Sequence, residues 1–475
     1  MKRLPHSLIL ILCLWLLLGC TLRPEALVVA PTATQEARAT PRPSATAIAA
    51  TMTATPTMTT PTATTTTTPT AIPLDPTPTL APLSREERKA IFERTWTIVR
   101  DRYVYDDYRG VDWDALRLEF TPRIVAAEEP ETFYELMREL IDRLGDDHSR
   151  FESPQQVASQ QAEFRGELRY GGIGALIRTV DEGGLILMLA PGAPAERAGL
   201  QARDLILAVN GKPFIDEDAF GPEGPIGEVR GEPGTFVRLT VRSGDDPPRD
   251  LEVVREAVAS DAFNRVRGHL LPGGHVGVVE IPSFYVDALD VRTREAVEEL
   301  LAAGTMRGLI IDVRGNSGGY VHLMRNTVAL FHDGGSIGST SGRASREEQQ
   351  IPAGQTIPAM ADIPIAILIG PNTVSAGEMF AAGMQVLGRA RIVGEPSAGN
   401  TENLFGYNFD DGSRLLLAEL AYHLPDGTMI EERGVIPDRQ VGGEWWRLPP
   451  DEDPQLLAAV EELGLVSGIG DERKN

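Results

Sequence analysis

The apolar positions of the chain change period several times, and each change predicts a different element. Residues 8–18 are almost continuously apolar. Residues 51–80 are dominated by Thr and Pro, with Asp75 as the only charge. Such a stretch cannot bury enough apolar surface to offset chain entropy, so it predicts an extended, semi-stiff stalk. Helical periodicity begins at Ser84. Ser84-Arg85-Glu86-Glu87 fits a capping box, and Ile91, Thr95, Ile98 and Val99 follow at helical spacing. A second helix is predicted over 131–144, with Phe133, Leu136, Leu140 and Leu144 on one face and Gly145 as its stop.

Between about 166 and 258 the period shortens. Apolar runs at 185–189, 205–209 and 237–241 alternate with Gly and Pro turns, which predicts a small β-rich domain. From about 259 onward strands (276–281, 309–313, 363–369) alternate with helices (291–302, 321–331, 375–387), and a last helix is predicted over 454–463. That alternation predicts an α/β core, and the whole chain a multi-domain α/β protein.

Composition narrows the function. The chain has 475 residues and a formal net charge of −23. Nucleic acid and anionic lipid surfaces repel such a chain, so neither is an expected partner. The N-terminus reads as a targeting segment: Lys2 and Arg3 precede an apolar run too short to span a bilayer. The run ends in Leu17-Leu18-Gly19-Cys20, which resembles a bacterial lipobox. That resemblance implies removal of residues 1–19, lipid attachment at Cys20 and an extracytoplasmic protein anchored to the cell membrane. Cys13, the other cysteine, lies in the segment to be removed, so no disulfide is expected.

Two strand–turn–helix junctions carry candidate chemistry. Asp312-Val313-Arg314-Gly315-Asn316-Ser317-Gly318-Gly319 places glycines before a helix, where backbone N–H groups can face an anion. It lacks the Gly-Lys-Ser/Thr ending of a nucleotide-binding loop. Val374-Ser375-Ala376-Gly377-Glu378 places a serine at a strand–helix turn, although the Gly-x-Ser-x-Gly spacing is absent. A serine there is equally an ordinary helix cap when taken alone. No His/Asp/Glu spacing predicts a metal site, and no cofactor is expected.

These stretches, with Asp146-Asp147-His148-Ser149, 389–395 and Gly434-Val435-Ile436-Pro437-Asp438, resemble the tail-specific (C-terminal processing) serine proteases and their tricorn-core relatives. The resemblance implies a helical region over 84–165 after a lipid-anchored stalk (20–83), a PDZ-like domain over 166–258 and a crotonase/ClpP-like α/β protease core over 259–475. It implies a peptide carboxylate held by the loop containing Gly172, Ile173 and Gly174, with protein or peptide tails as partners. It makes Ser375 the nucleophile and the N–H groups of Gly318 or Gly319 and Ala376 the oxyanion hole.

The chain departs from the processing branch at Asn400, where that branch has its catalytic lysine; no lysine lies between Lys212 and Lys474. An amide has no basic nitrogen. His148 falls where the tricorn-core relatives have a catalytic histidine, and Glu431 where they have its carboxylate partner; Glu432 is the alternative if the alignment slips by one. The expectation is a Ser375–His148–Glu431 endopeptidase. Its alternative is an inactive peptide-binding lipoprotein of the same fold.

Overall fold

The computed structural model describes residues 80–465 except 147, 166–168, 222–223 and 260–261. The expected signal segment, Cys20 and nearly all of the stalk lie outside the described residues. The first helix, Arg85–Arg102, starts as its sequence dictates. Ser84 Oγ accepts from Glu87 N–H, and the Glu87 carboxylate accepts from Ser84 N–H at 2.7 Å. The helix predicted at 131–144 is Pro130–Asp142, and between them lies Trp113–Ala126, which the sequence reading did not anticipate. Together the three bury Phe92, Trp96, Phe120, Phe133 and Leu140. Each such aromatic or aliphatic side chain contributes about 1.5–3 kcal/mol of burial.

The face opposite these helices is not their own. Leu415, Leu417 and Ala418 of the strand Arg414–His423 complete their core. That strand belongs to an antiparallel sheet with Arg150–Glu152, Asn403–Asn408, Ser336–Ser341 and Arg346–Gln350. The N-terminal helices are therefore locked to the C-terminal half of the chain, and residues around 148 and 402 meet at this seam.

The second sheet is the α/β core. Val276–Glu280, Gly308–Asp312, Ile365–Ile369, Ala390–Gly394 and Arg439–Gln440 run parallel in that spatial order, with Arg267–Leu270 antiparallel at one edge. The central strands are apolar without alternation, Ile365–Ile369 throughout and its neighbour up to Ile311, because the sheet is covered on both faces there. Leu289–Ala302, Val321–Ala329 and Ala376–Val386 pack on one face, and Pro454–Glu462 on the other. The two chemical junctions leave adjacent strands, Gly308–Asp312 and Ile365–Ile369, at their carboxyl ends. Open parallel sheets bind ligands at such ends.

A third sheet holds Ala175–Val180, Gly183–Leu189, Leu205–Val209, Phe236–Arg242 and Arg249–Val254 around its own core of Ile186, Ile206, Phe214 and Val237. Ala175–Val180 is its edge strand.

Candidate active site

Ser375 sits between strand Ile365–Ile369 and helix Ala376–Val386 with φ 55° and ψ −120°. A left-handed φ is costly for a residue with a Cβ and persists only where its surroundings hold it. Those surroundings are visible. Its N–H donates to the Asn400 carbonyl (2.9 Å) and to the Glu378 carboxylate (3.0 Å). The fully buried Glu378 also accepts from Ser397 Oγ (2.7 Å), Gly399 N–H (2.6 Å) and Asn400 N–H (2.8 Å). Burial raises its pKa, and these hydrogen bonds oppose the rise. Asn400 thus holds the Ser375 turn through its backbone carbonyl and N–H.

The glycine-rich turn docks onto this elbow. Val374 N–H donates to the Asn316 carbonyl (2.9 Å), and Thr373 Oγ1 to the Val313 carbonyl (2.8 Å). A Cβ on Gly318 would lie 2.7 Å from Ser375 Cβ, and one on Gly377 would lie 2.8 Å from Asn316 Oδ1. Arg314 pins the turn from behind: it pairs with Asp312 (2.6 Å) and Asp453 (2.7 Å) and stacks 3.5 Å from the Trp445 ring.

One expected donor is corrected. Gly318 N–H is directed at Asn316 Oδ1 (2.9 Å), so its single proton is committed inside the turn. Gly318 contributes by lacking a side chain beside Ser375. The donors left for an oxyanion are Gly319 N–H and Ala376 N–H, the latter at the helix start, where N–H groups have no intrahelical acceptor.

His148 is buried at the seam between the N-terminal helices and the antiparallel sheet. Asp146 Oδ1 accepts its N–H (2.9 Å), and Asp146 is itself held by Tyr103 OH (2.7 Å). His148, Glu402 and Glu431 come together, each offering an atom within 4.8 Å of the others. The carboxylate oxygen beside the imidazole, however, is that of Glu402: its Oε2 lies 3.0 Å from His148 Nε2. Glu431 Oε2 instead accepts from Thr401 N–H (2.6 Å) and Thr401 Oγ1 (2.9 Å). The alternative Glu432 points away, with a 76% exposed side chain 3.4 Å from Arg109.

Glu402 is the residue sequence reasoning missed. It has no local pattern, and its partners lie hundreds of residues away or in another turn. It is buried, accepts from Tyr105 OH (2.8 Å), and its pKa is pushed up to about 7, first by burial and then by the adjacent Glu431 carboxylate. A histidine with two glutamates is a grouping a cation could share, which no spacing in the sequence had suggested, and Tyr105 and Thr401 each hydrogen-bond one of its carboxylates.

The segment 400–402 touches both the Ser375 turn and the His148 cluster. Asn400 holds the Ser375 backbone and Glu402 meets His148, and two residues span at most about 7 Å. In the β-rich domain, Gly172, Ile173 and Gly174 are buried at the entry to the edge strand. The Ile173 carbonyl accepts from Ala195 N–H (2.8 Å), and Gly174 (φ 71°) lies so close to Ala193 that a Cβ would meet its Cβ at 2.3 Å.

A strained serine at a helix start, packed against a glycine turn on the adjacent parallel strand, defines a serine-type peptidase. Residues 275–441 match Peptidase family S41, residues 84–142 the Tricorn protease C1 domain and residues 186–223 a PDZ domain. These matches support the tail-specific, or carboxyl-terminal processing, serine protease family for this chain. It is 29% identical over 378 residues to a carboxyl-terminal-processing protease of Picosynechococcus, covering 78% of this chain and 88% of that one. It is 28% identical over 359 residues to its counterpart in Synechocystis, covering 75% and 81%. The fold is shared with the photosystem II D1 C-terminal processing protease (TM-score 0.51, 24% identity, 80% of this chain and 98% of that one). It is also shared with an S41 protease of Bacteroides fragilis (TM-score 0.54, 16% identity, 78% and 97%).

Proposed function

We propose that this chain is a lipid-anchored, extracytoplasmic endopeptidase that takes proteins by their C-terminal tails and cleaves them with Ser375 as nucleophile and His148 as general base. The supporting observation is the elbow itself: φ 55° at Ser375, with Gly318 against it, is strain without purpose for a plain helix cap. The anchor rests on Leu17-Leu18-Gly19-Cys20, and the stalk carries the folded part clear of the membrane.

In the reaction, His148 takes the hydroxyl proton as Ser375 Oγ bonds to the scissile carbonyl carbon. The carbonyl electron pair moves to oxygen, where Gly319 and Ala376 N–H groups stabilise it. The C–N bond then breaks, the proton passes from the imidazolium to the leaving amine, and water hydrolyses the acyl-enzyme. Imidazole suits this task because it titrates near neutral pH. The tail enters as an added strand on the edge Ala175–Val180, its carboxylate facing the backbone of Gly172–Gly174.

A serine-directed fluorophosphonate tests the assignment. Labelling and turnover of an unfolded protein are expected in the parent and lost in S375A and H148A. Labelling that persists in S375A removes Ser375 as nucleophile, and full peptidase activity in H148A removes the base.

A further inference from the structure

We propose that Glu402, rather than Glu431, is the positioning carboxylate for His148, with Tyr105 holding Glu402 and Thr401 holding Glu431. The inference rests on the Ser375–His148 reading above and extends it to a residue no motif marks. Three observations carry it. Glu402 Oε2 is 3.0 Å from His148 Nε2, both side chains being almost fully buried. Glu431 Oε2 accepts from both Thr401 donors, and Glu431 meets the cluster through its bond to Glu402, whereas the ion-pair contact with the ring is made by Glu402. Tyr105 OH donates to the other Glu402 oxygen at 2.8 Å, which leaves Oε2 as the oxygen turned to the ring and to Glu431.

A carboxylate in that place sets the ring orientation and stabilises the imidazolium that forms as Ser375 attacks. The groups facing Glu402 come from three elements: Tyr103, Tyr105 and Arg109 from the segment after the first helix, Asp146 and His148 from the turn before strand Arg150–Glu152, and Glu431 from the C-terminal turn. Two of these, Asp146 and Glu431, are carboxylates, and both add to the burial that raises the pKa of Glu402.

The test compares E402Q, E431Q and E402D. E402Q is expected to lower kcat on the order of 10²–10⁴-fold with KM nearly unchanged, as expected when a buried carboxylate partner of a catalytic histidine is neutralised. E431Q should lose less than about tenfold, and E402D, which keeps the charge on a shorter arm, should recover part of the loss. A second readout needs no turnover: the His148 ring titration, followed by NMR in the S375A background. E402Q removes the anion in contact and moves the ring titration to lower pH. E431Q frees Glu402 to ionise fully and moves it to higher pH. A larger loss in E431Q than in E402Q, or ring shifts of the opposite signs, overturns the proposal while leaving the Ser375–His148 reading standing. Full activity in H148A would defeat that reading itself, whatever the glutamates do.

Discussion

At the residue scale, two side-chain facts decide whether this site works, and each can be perturbed alone. Gly318 has φ 84°, and its missing Cβ is the space that Ser375 Cβ occupies. G318A would therefore combine left-handed strain with an overlap against backbone-anchored atoms. It should cost about 1–3 kcal/mol in a denaturant titration and suppress fluorophosphonate labelling. Glu402 makes the opposite case: if it positions His148 as proposed, its burial is a cost in stability that the reaction requires. Its pKa is raised to about 7, so the folded chain binds its proton more tightly than the unfolded chain does. Its contribution to stability is then fully present below about pH 4.5 and is lost as pH rises through about 7. E402Q removes that loss. The variant should be more stable than the parent by about 2 kcal/mol at pH 8, after allowance for screening, and equal to it near pH 4. Thermal unfolding across pH measures this. A variant both slower and more stable separates a role in the reaction from one in folding.

At the element scale, the elbow is held together by one acid. Glu378 follows Ser375 by three residues and gathers the N–H groups of Ser375, Gly399 and Asn400 and the hydroxyl of Ser397. E378A strands three donors around a buried cavity, the N–H groups of Gly399 and Asn400 and the Ser397 hydroxyl, while the Ser375 N–H keeps the Asn400 carbonyl. It should destabilise the fold by at least about 3 kcal/mol in chemical denaturation and abolish labelling of Ser375. Much of this scale was legible in the sequence, for physical reasons. The Ser84 capping box is a local bond pattern, and the parallel strands are continuous apolar runs bounded by turns. The helix Trp113–Ala126 was overlooked because Pro122 interrupts its pattern, although Trp113, Leu116, Phe120 and Ile124 keep helical spacing. The strand Arg346–Gln350 has no apolar residue at all and is specified only by its partner Ser336–Ser341. For the site, Ser375 and Gly318 were readable because each lies in a contiguous turn. Glu402 was not, since its significance arises only when the sheet brings 402, 148 and 105 together.

At the scale of the whole molecule, the β-rich domain meets the segment 446–448 of the protease core. Arg203 donates to the Leu448 carbonyl (2.6 Å), Arg447 pairs with Glu182 (3.1 Å), and Arg178 stacks on Trp446 at 4.4 Å. Arg178 belongs to Ala175–Val180, the edge strand available to a tail, whereas neighbouring Trp445 lies against Arg314 of the glycine turn. A tail added to that strand would thus lie close to the segment that braces the glycine turn beside Ser375. This arrangement predicts how substrate length is read. A protein substrate with a free C-terminal carboxylate should show a KM at least about tenfold lower than the same substrate amidated at its C-terminus, because backbone N–H groups recognise the charge. A short internal peptide, which cannot span both the edge strand and Ser375, should be cleaved at the same rate with either end group. Steady-state kinetics on the two pairs measures it. Equal KM values for the long pair would mean that the Gly172–Gly174 loop does not capture the tail, and that substrates reach Ser375 without help from the β-rich domain.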